Sequence, residues 1–246
     1  MNLLDTAKRQ IFIRYRTSRS LASYRLKKRS LRNAGDLAVS GLNVNTRDLG
    51  LFVWRTVLPL TSTFPYPPHE LMLMTSAVVA VRPRLIVEWG TNVGVSTRVF
   101  CETMLRYGIE GEIHSIDLAD GQEHFEHPHG FRGIMCSGTA VKLHQGDGST
   151  VACELLKAVG EDQRSLVFID GDHSYESVLR EGDAIWRTRP DTAILFHDTF
   201  AGNIDDGGPR KAVDQLIGRF AARPWIIEAQ LGPPGMTLVI PRFSPE

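Results

Sequence analysis

The chain has 246 residues, 42% hydrophobic and 23% charged, which suits one soluble α/β domain with an addition and excludes a low-complexity chain. Its formal net charge of zero hides an asymmetry: residues 1–35 hold ten of the 28 basic residues and one of the 28 acidic ones, leaving 18 basic against 27 acidic elsewhere. Cys101, Cys136 and Cys153 form no C-x-x-C pair and read as reduced thiols of a cytoplasmic protein. The basic start has no apolar region behind it, so a signal peptide is not expected. The longest apolar stretch, Leu71–Val81, is interrupted by Thr75 and Ser76 and is too short to span a bilayer.

In chain order, residues 1–35 fit one or two amphipathic helices or partial disorder, and residues 36–66 show no clear periodicity. Phe64-Pro-Tyr-Pro-Pro68 is a stiff linker, and His69–Val81 reads as a helix ending before Pro83. Strand-like runs follow at 85–89, 112–117, 141–146, 165–170 and 192–197. Helix-like runs follow or separate them at 96–107, 150–159, 175–187 and 210–221. Two closing strands, 225–229 and 236–240, flank the turn at Gly232-Pro-Pro-Gly235 and suggest an antiparallel edge hairpin. Alternation of this kind predicts a doubly wound, mostly parallel sheet. The expected division is an N-terminal helical or partly disordered extension, 1–68, and a main domain, 69–246.

The most informative segment is Leu85-Ile-Val-Glu-Trp-Gly-Thr-Asn-Val-Gly-Val-Ser96. A buried strand ends in Glu88, and Gly90 and Gly94 follow where backbone must approach a ligand or a helix closely. The spacing Glu88-x-Gly90-x-x-x-Gly94 is not the G-x-G-x-x-G of dinucleotide folds, and the Gly-Lys-Ser/Thr of a phosphate-cradling loop is missing. An acid here suits a cationic ligand better than a phosphate. The segment resembles the first motif, E/D-x-G-x-x-x-G, of class I S-adenosylmethionine-dependent methyltransferases. That resemblance spans roughly residues 70–240 and implies a Rossmann-like seven-stranded sheet with a reversed last strand. It also implies a cofactor site that includes Glu88, Gly90, Gly94 and Ser96. A glycine-rich turn of this kind also occurs for purely structural reasons.

Asp117 closes the second strand, where an acid can accept both ribose hydroxyls, as in dinucleotide folds; capping a helix or facing solvent are its ordinary alternatives. The resemblance places an acid or amide near the adenine amino group after the third strand. Asp147 is the candidate, although it could equally cap the helix near Thr150.

The chemistry-bearing residues fall at the ends of the fourth and fifth strand-like runs. Asp170 and His173 lie in Asp170-Gly-Asp-His-Ser-Tyr175, and His197 and Asp198 in Ile194-Leu-Phe-His-Asp-Thr199. Neighbouring strands lie about 5 Å apart, so Asp170, His197 and Asp198 can converge on one cation. Oxygen ligands favour Mg²⁺, and the imidazole leaves room for Mn²⁺ or another transition metal. Helix capping by either acid and a structural role for either histidine are the alternatives. The D-G-x-H-x-Y segment resembles metal-dependent sugar O-methyltransferases, of macrolide-sugar, rhamnosyl and methylated-polysaccharide types. The resemblance implies Asp170 as metal ligand and His173 as general base. That family has Glu-Asp where this chain has His197-Asp198, which makes His197 a rival base.

The expected function is therefore methyl transfer to a hydroxyl of a sugar or oligosaccharide. The rivals are a nucleic-acid methyltransferase gripping its substrate with the basic segment, and a non-catalytic scaffold of the same fold. The N/D-P-P-Y/F motif of base N-methylating enzymes is missing after the fourth strand, so no nucleic acid is expected. The histidines of loop 122–133 (His124, His127, His129) and the polar residues of loop 200–209 (Asn203, Asp205, Asp206) are expected to shape the acceptor pocket. The histidine trio reads as an ordinary polar loop. Residues 1–35 are open to packing on the acidic body, including across a homodimer, or to contact with an anionic membrane surface.

Overall fold

Strands with long apolar runs need cover on both faces, and the arrangement supplies it. The structure, a computed structural model, describes residues 44–61, 66–122, 131–200, 207–230 and 234–242, all within the compact unit Val44–Glu246. The segment 1–35, the loop histidines His124, His127 and His129, and Asn203, Asp205 and Asp206 lie outside the described residues.

The elements are α1 (Thr46–Phe52), α2 (Pro68–Val81), β1 (Leu85–Trp89), α3 (Val95–Tyr107), β2 (Glu112–Asp117), β3 (Lys142–Gln145), α4 (Gly148–Lys157), β4 (Ser165–Ile169), α5 (Tyr175–Thr188), β5 (Ala193–His197), α6 (Gly208–Ile217), β6 (Trp225–Ala229) and β7 (Met236–Ile240). The seven strands order as β3-β2-β1-β4-β5-β7-β6. Pairs from β3 through β5 are parallel, and β7 runs antiparallel to both β5 and β6. The closing hairpin is therefore at the sheet edge as expected, but its second strand inserts next to β5 and leaves β6 outermost.

Alternate strand residues point to opposite layers. Ile86, Ile113, Leu166, Phe168, Leu195 and Leu238 face α2 and α3. Val87, Trp89, Ile116, Val167, Ile194, Phe196 and Val239 face α4, α5 and α6. Each large side chain fully buried in these layers contributes about 2 kcal/mol of hydrophobic stabilisation.

One stretch departs from the sequence reading. Residues 46–60, which showed no clear periodicity, are helical: α1 begins with Asn45 accepting a hydrogen bond from Asp48 N at 3.2 Å. It continues through a π-helical turn, Val53–Val57, and on to Leu60. Leu49, Phe52, Val53 and Val57 are buried by it.

The chain winds outward in one direction from β1 and in the other from β4. The switch point between them puts the carboxyl ends of β1 and β4 side by side, the usual place for a ligand in such sheets.

Candidate active site

At that switch point β1 ends in the turn to α3. Gly90 has φ +94° and hydrogen-bonds through its N–H to Ile116 O (3.0 Å); a Cβ there would overlap the carbonyl of Asp170. Gly94 has φ +85° and begins α3, with Cys136 Sγ 2.6 Å from where a Cβ would lie. Gly90 is thus required by the approach of the Asp170 backbone, and Gly94 by its positive φ and the approach of the Cys136 side chain.

The structure joins Glu88 and Ser96 to each other. Ser96 Oγ and Thr97 Oγ1 donate to the fully buried Glu88 carboxylate, and Ser115 Oγ donates at 3.0 Å. Burial pushes the Glu88 carboxyl up to about 7, partly offset by these three hydroxyls. Glu88 thereby pins the first turn of α3 to β1 and β2. Asp117 accepts from Asn92 N (2.9 Å) and Leu118 N (2.8 Å), with Arg132 Nε at 3.5 Å, so it holds the glycine turn against β2. Asp147 is the N-cap of α4, accepting through Oδ1 from Thr150 N (2.8 Å), Thr150 Oγ1 (2.7 Å) and Ser149 Oγ (2.9 Å). Those bonds from Thr150 lead in holding its carboxyl below the ordinary range. Asp117 and Asp147 share the carboxyl-end rim with the turn.

The second group lies one and two strands along. Asp170 Oδ1 is 2.7 Å from His197 Nδ1, and Asp198 Oδ2 is 3.5 Å from the same nitrogen. His173 Nδ1 lies 2.9 Å from Asp198 Oδ2. Asp198 is held at φ +54°, a strained value for a non-glycine residue and one often found at functional sites. Burial disfavours charge on His197, yet Asp170, Asp198 and Glu70 overcome it and hold the imidazole well above its ordinary value. His173 is raised in the same way, its burial outweighed by Asp198. Burial likewise opposes the ionised Asp198, and the two histidines outweigh it and lower its carboxyl.

Two site residues were not found by sequence reasoning. Tyr66 donates its hydroxyl to Asp170 Oδ2 at 2.7 Å and packs edge-on to His197 with ring centroids 5.4 Å apart. Burial, then Asp170, pushes its hydroxyl well above the usual range. Glu70, in the first turn of α2, is fully buried; Oε2 lies 3.4 Å from His197 Nε2, and Oε1 accepts from Gly235 N at 2.8 Å. A buried carboxylate is rare enough to mark a site, and an acid at the start of an otherwise apolar helix was the available signal. Trp89 is a core residue that donates Nε1–H to buried Glu181 at 2.8 Å.

The donor set fits a divalent cation. One ligand atom from each of Asp170, His197 and Asp198 lies within 4.8 Å of the others. His197 Nδ1 is buried and forms no well-directed hydrogen bond, although two carboxylates face it. The other rim, with the glycine turn, Asp117 and Asp147, fits a ligand of nucleoside type carrying a positive charge.

Strand order, reversed β7 and glycine turn at the switch point together define the class I S-adenosylmethionine-dependent methyltransferase fold. Residues 87–199 match the model of a family described as a methyltransferase domain. A curated relative, the uncharacterized protein y4gI of Sinorhizobium fredii, is 27% identical over 150 residues, 58% of this chain but 16% of the relative. The chain thus spans about a sixth of that protein's length. Among solved structures, cofactor-bound Rv0187 from MTB superposes with a TM-score of 0.53 at 17% identity, over 79% of this chain and 95% of that one. An O-methyltransferase from Bacillus cereus in complex with SAH gives 0.50 at 15% identity, over 79% and 91%. CalS11, a TDP-rhamnose 3'-O-methyltransferase of calicheamicin biosynthesis, gives 0.50 at 16% identity, over 79% and 92%. Among the described residues, no helix is long and apolar enough to cross a membrane.

Proposed function

We propose that the chain transfers a methyl group from S-adenosylmethionine to a hydroxyl of a small acceptor, of sugar or saccharide class, with a divalent cation and a histidine base. The observation that carries this is the meeting of Asp170, His173, His197 and Asp198 at the ends of β4 and β5, beside the Gly90–Gly94 turn. The saccharide class rests on the Asp170-Gly-Asp-His173 segment and on the shared fold of CalS11.

When bound, the sulfonium supplies the methyl carbon and the cation polarises the acceptor hydroxyl. Asp170, His197 and Asp198 would hold the cation. Asp198 orients His173 through Nδ1, which directs Nε2 away from that bond and toward an acceptor. The His173 side chain is 33% exposed, against 11% for His197, whose two nitrogens both face carboxylates. His173 is therefore the better-placed base. It would take the hydroxyl proton at Nε2, leaving the acceptor oxygen to receive the methyl group that the sulfonium would supply. The rim residues Asp117 and Asp147 would position the nucleoside end of the donor, so that much of the acceleration comes from alignment.

Calorimetric titration with S-adenosylmethionine, with and without Mg²⁺ or Mn²⁺, followed by an acceptor screen of nucleotide sugars and oligosaccharides, tests the reading. EDTA abolishes turnover and added metal restores it. His173→Ala lowers kcat by about 10²–10⁴ with unchanged donor affinity. Turnover indifferent to EDTA removes the cation, and full activity in His173→Ala removes the base. Binding to RNA that weakens steeply with added salt would favour a nucleic-acid substrate instead.

A further inference from the structure

We infer that Glu70 is a positioning residue that fixes the tautomer of His197, making Nδ1 a nitrogen donor and the site selective for transition-metal cations over Mg²⁺. The inference rests on the divalent-cation reading above and goes beyond it in naming what orients the ligand and which cations it suits.

Glu70 arrives from the far side of the site, in α2, and lies in no motif around Asp170 or His197. Its carboxylate is fully buried, and each oxygen has one task. Oε1 accepts the N–H of Gly235, in the loop entering β7, at 2.8 Å. Oε2 faces His197 Nε2 at 3.4 Å. A carboxylate accepts and cannot donate, and carboxylates face both ring nitrogens, so a cation held by Asp170 and Asp198 would displace the proton from Nδ1 and leave the ring proton on Nε2, where Glu70 accepts it. The Nδ1 lone pair would then serve the cation, on the side where Asp170 and Asp198 lie and where that nitrogen has no well-directed hydrogen bond. The ring is packed edge-on between Tyr66 and Phe168, with centroids 5.4 and 6.2 Å away, which disfavours turning it over. A carboxylate behind a ligating histidine is a general device for setting ring orientation and donor strength. One imidazole with two carboxylates suits Mn²⁺, Zn²⁺ and their neighbours, whereas Mg²⁺ prefers an all-oxygen shell.

The experiment titrates the full chain with MnCl₂ and, separately, MgCl₂ by calorimetry, and records ¹⁵N spectra of the Zn²⁺-loaded protein with labelled histidine. The wild type binds Mn²⁺ at least ten-fold more tightly than Mg²⁺, and His197 is metallated on Nδ1 and protonated on Nε2. In Glu70→Gln the amide oxygen still accepts from Gly235, but the amide N–H faces Nε2 and draws the ring proton to Nδ1. Mn²⁺ affinity then falls at least ten-fold, while thermal midpoint and S-adenosylmethionine affinity stay close to wild type. A purely structural Glu70 would lower the midpoint and leave the tautomer alone. Metallation on Nε2, equal affinity for the two cations, or Mn²⁺ bound by Glu70→Gln as tightly as by wild type overturns the inference. A wild type that binds no cation at all sinks the underlying reading too and is distinguishable from those outcomes. Should Glu70→Gln not fold, the wild-type spectrum still decides.

Discussion

Asp147 has one duty in view, capping α4, and a second, toward the donor, that follows from the proposed function. Its Oδ1 caps α4 through three hydrogen bonds, while the residue itself is exposed on the rim where the nucleoside end of the donor would lie. Two substitutions separate the duties. Asp147→Ala removes the cap and costs about 1 kcal/mol, read as a lower denaturation midpoint. Asp147→Ser keeps a capping oxygen and so keeps the midpoint. If the carboxylate also contacts the donor, S-adenosylmethionine affinity falls in both variants; unchanged affinity in Asp147→Ser leaves capping as its whole role. The cap was readable from the chain, because a short polar residue before a helix is a local pattern, and the donor contact is an expectation drawn from an acid after a third strand. The Asp170, His197 and Asp198 grouping was readable for a related reason: parallel strands in register carry their terminal residues to one edge. Glu70 and Tyr66 were not. They sit 127 and 104 positions from the residues they touch, and only the packing of α2 across the sheet brings them there.

At the level of elements, the turn from β1 to α3 is the tightest junction. Gly90 lies at φ +94° with the Asp170 carbonyl where a Cβ would go, and that carbonyl is backbone and cannot swing aside. Gly90→Ala therefore costs roughly 3 kcal/mol or more, from strain and overlap together, and shifts Asp170 with it. The expected result is a strongly lowered thermal midpoint and, in whatever folds, weakened metal binding. Gly50 is the internal control. It lies inside α1 with nothing within 4 Å of a built Cβ, so Gly50→Ala gains roughly 0.5–1 kcal/mol. Equal midpoints for the two variants would remove the close-approach account of the turn. The same elements mark the limits of periodicity. All seven strands and α2 through α6 stood out: β1 and β4 bury continuous runs and the helices bury stripes, while β3, mostly exposed, was marked by its place between turn and helix. In α1 and the helical turns that continue it, the stripe Leu49, Phe52, Val53, Val57 is present, but Gly50, the exposed Trp54 and Arg55, and Pro59 blur it, and the π-helical turn breaks its 3.6-residue period. The insertion of β7 beside β5 left no local trace, since a hairpin looks the same whichever strand is outermost.

Across the whole molecule, two buried carboxyls tie folding to pH. Glu88 and Glu181 are both pushed up to about 7, burial being the leading cause in each. An acid whose folded value exceeds its unfolded value favours the folded state when protonated. That contribution is fully present below about 4.5, the ordinary value, and is lost as pH rises to about 7. The upper bound is about 3 kcal/mol per group, since one unit corresponds to about 1.4 kcal/mol. At the acid end the order reverses. Asp147 and Asp198 are held low, so protonating them removes stability as pH falls below the ordinary aspartate range. Urea unfolding should therefore show greatest stability on the acid side of neutrality, with a decline between about pH 4.5 and 7. Glu181→Gln isolates one share of that decline, because its amide oxygen can still accept from Trp89 Nε1. The variant should have a higher urea midpoint than wild type at pH 8 and a shallower decline. A wild-type midpoint that stays level from pH 5 to 8 would mean that Glu88 and Glu181 ionise without cost, and that the packing of Trp89 and the first turn of α3 leaves room for water the structure does not provide.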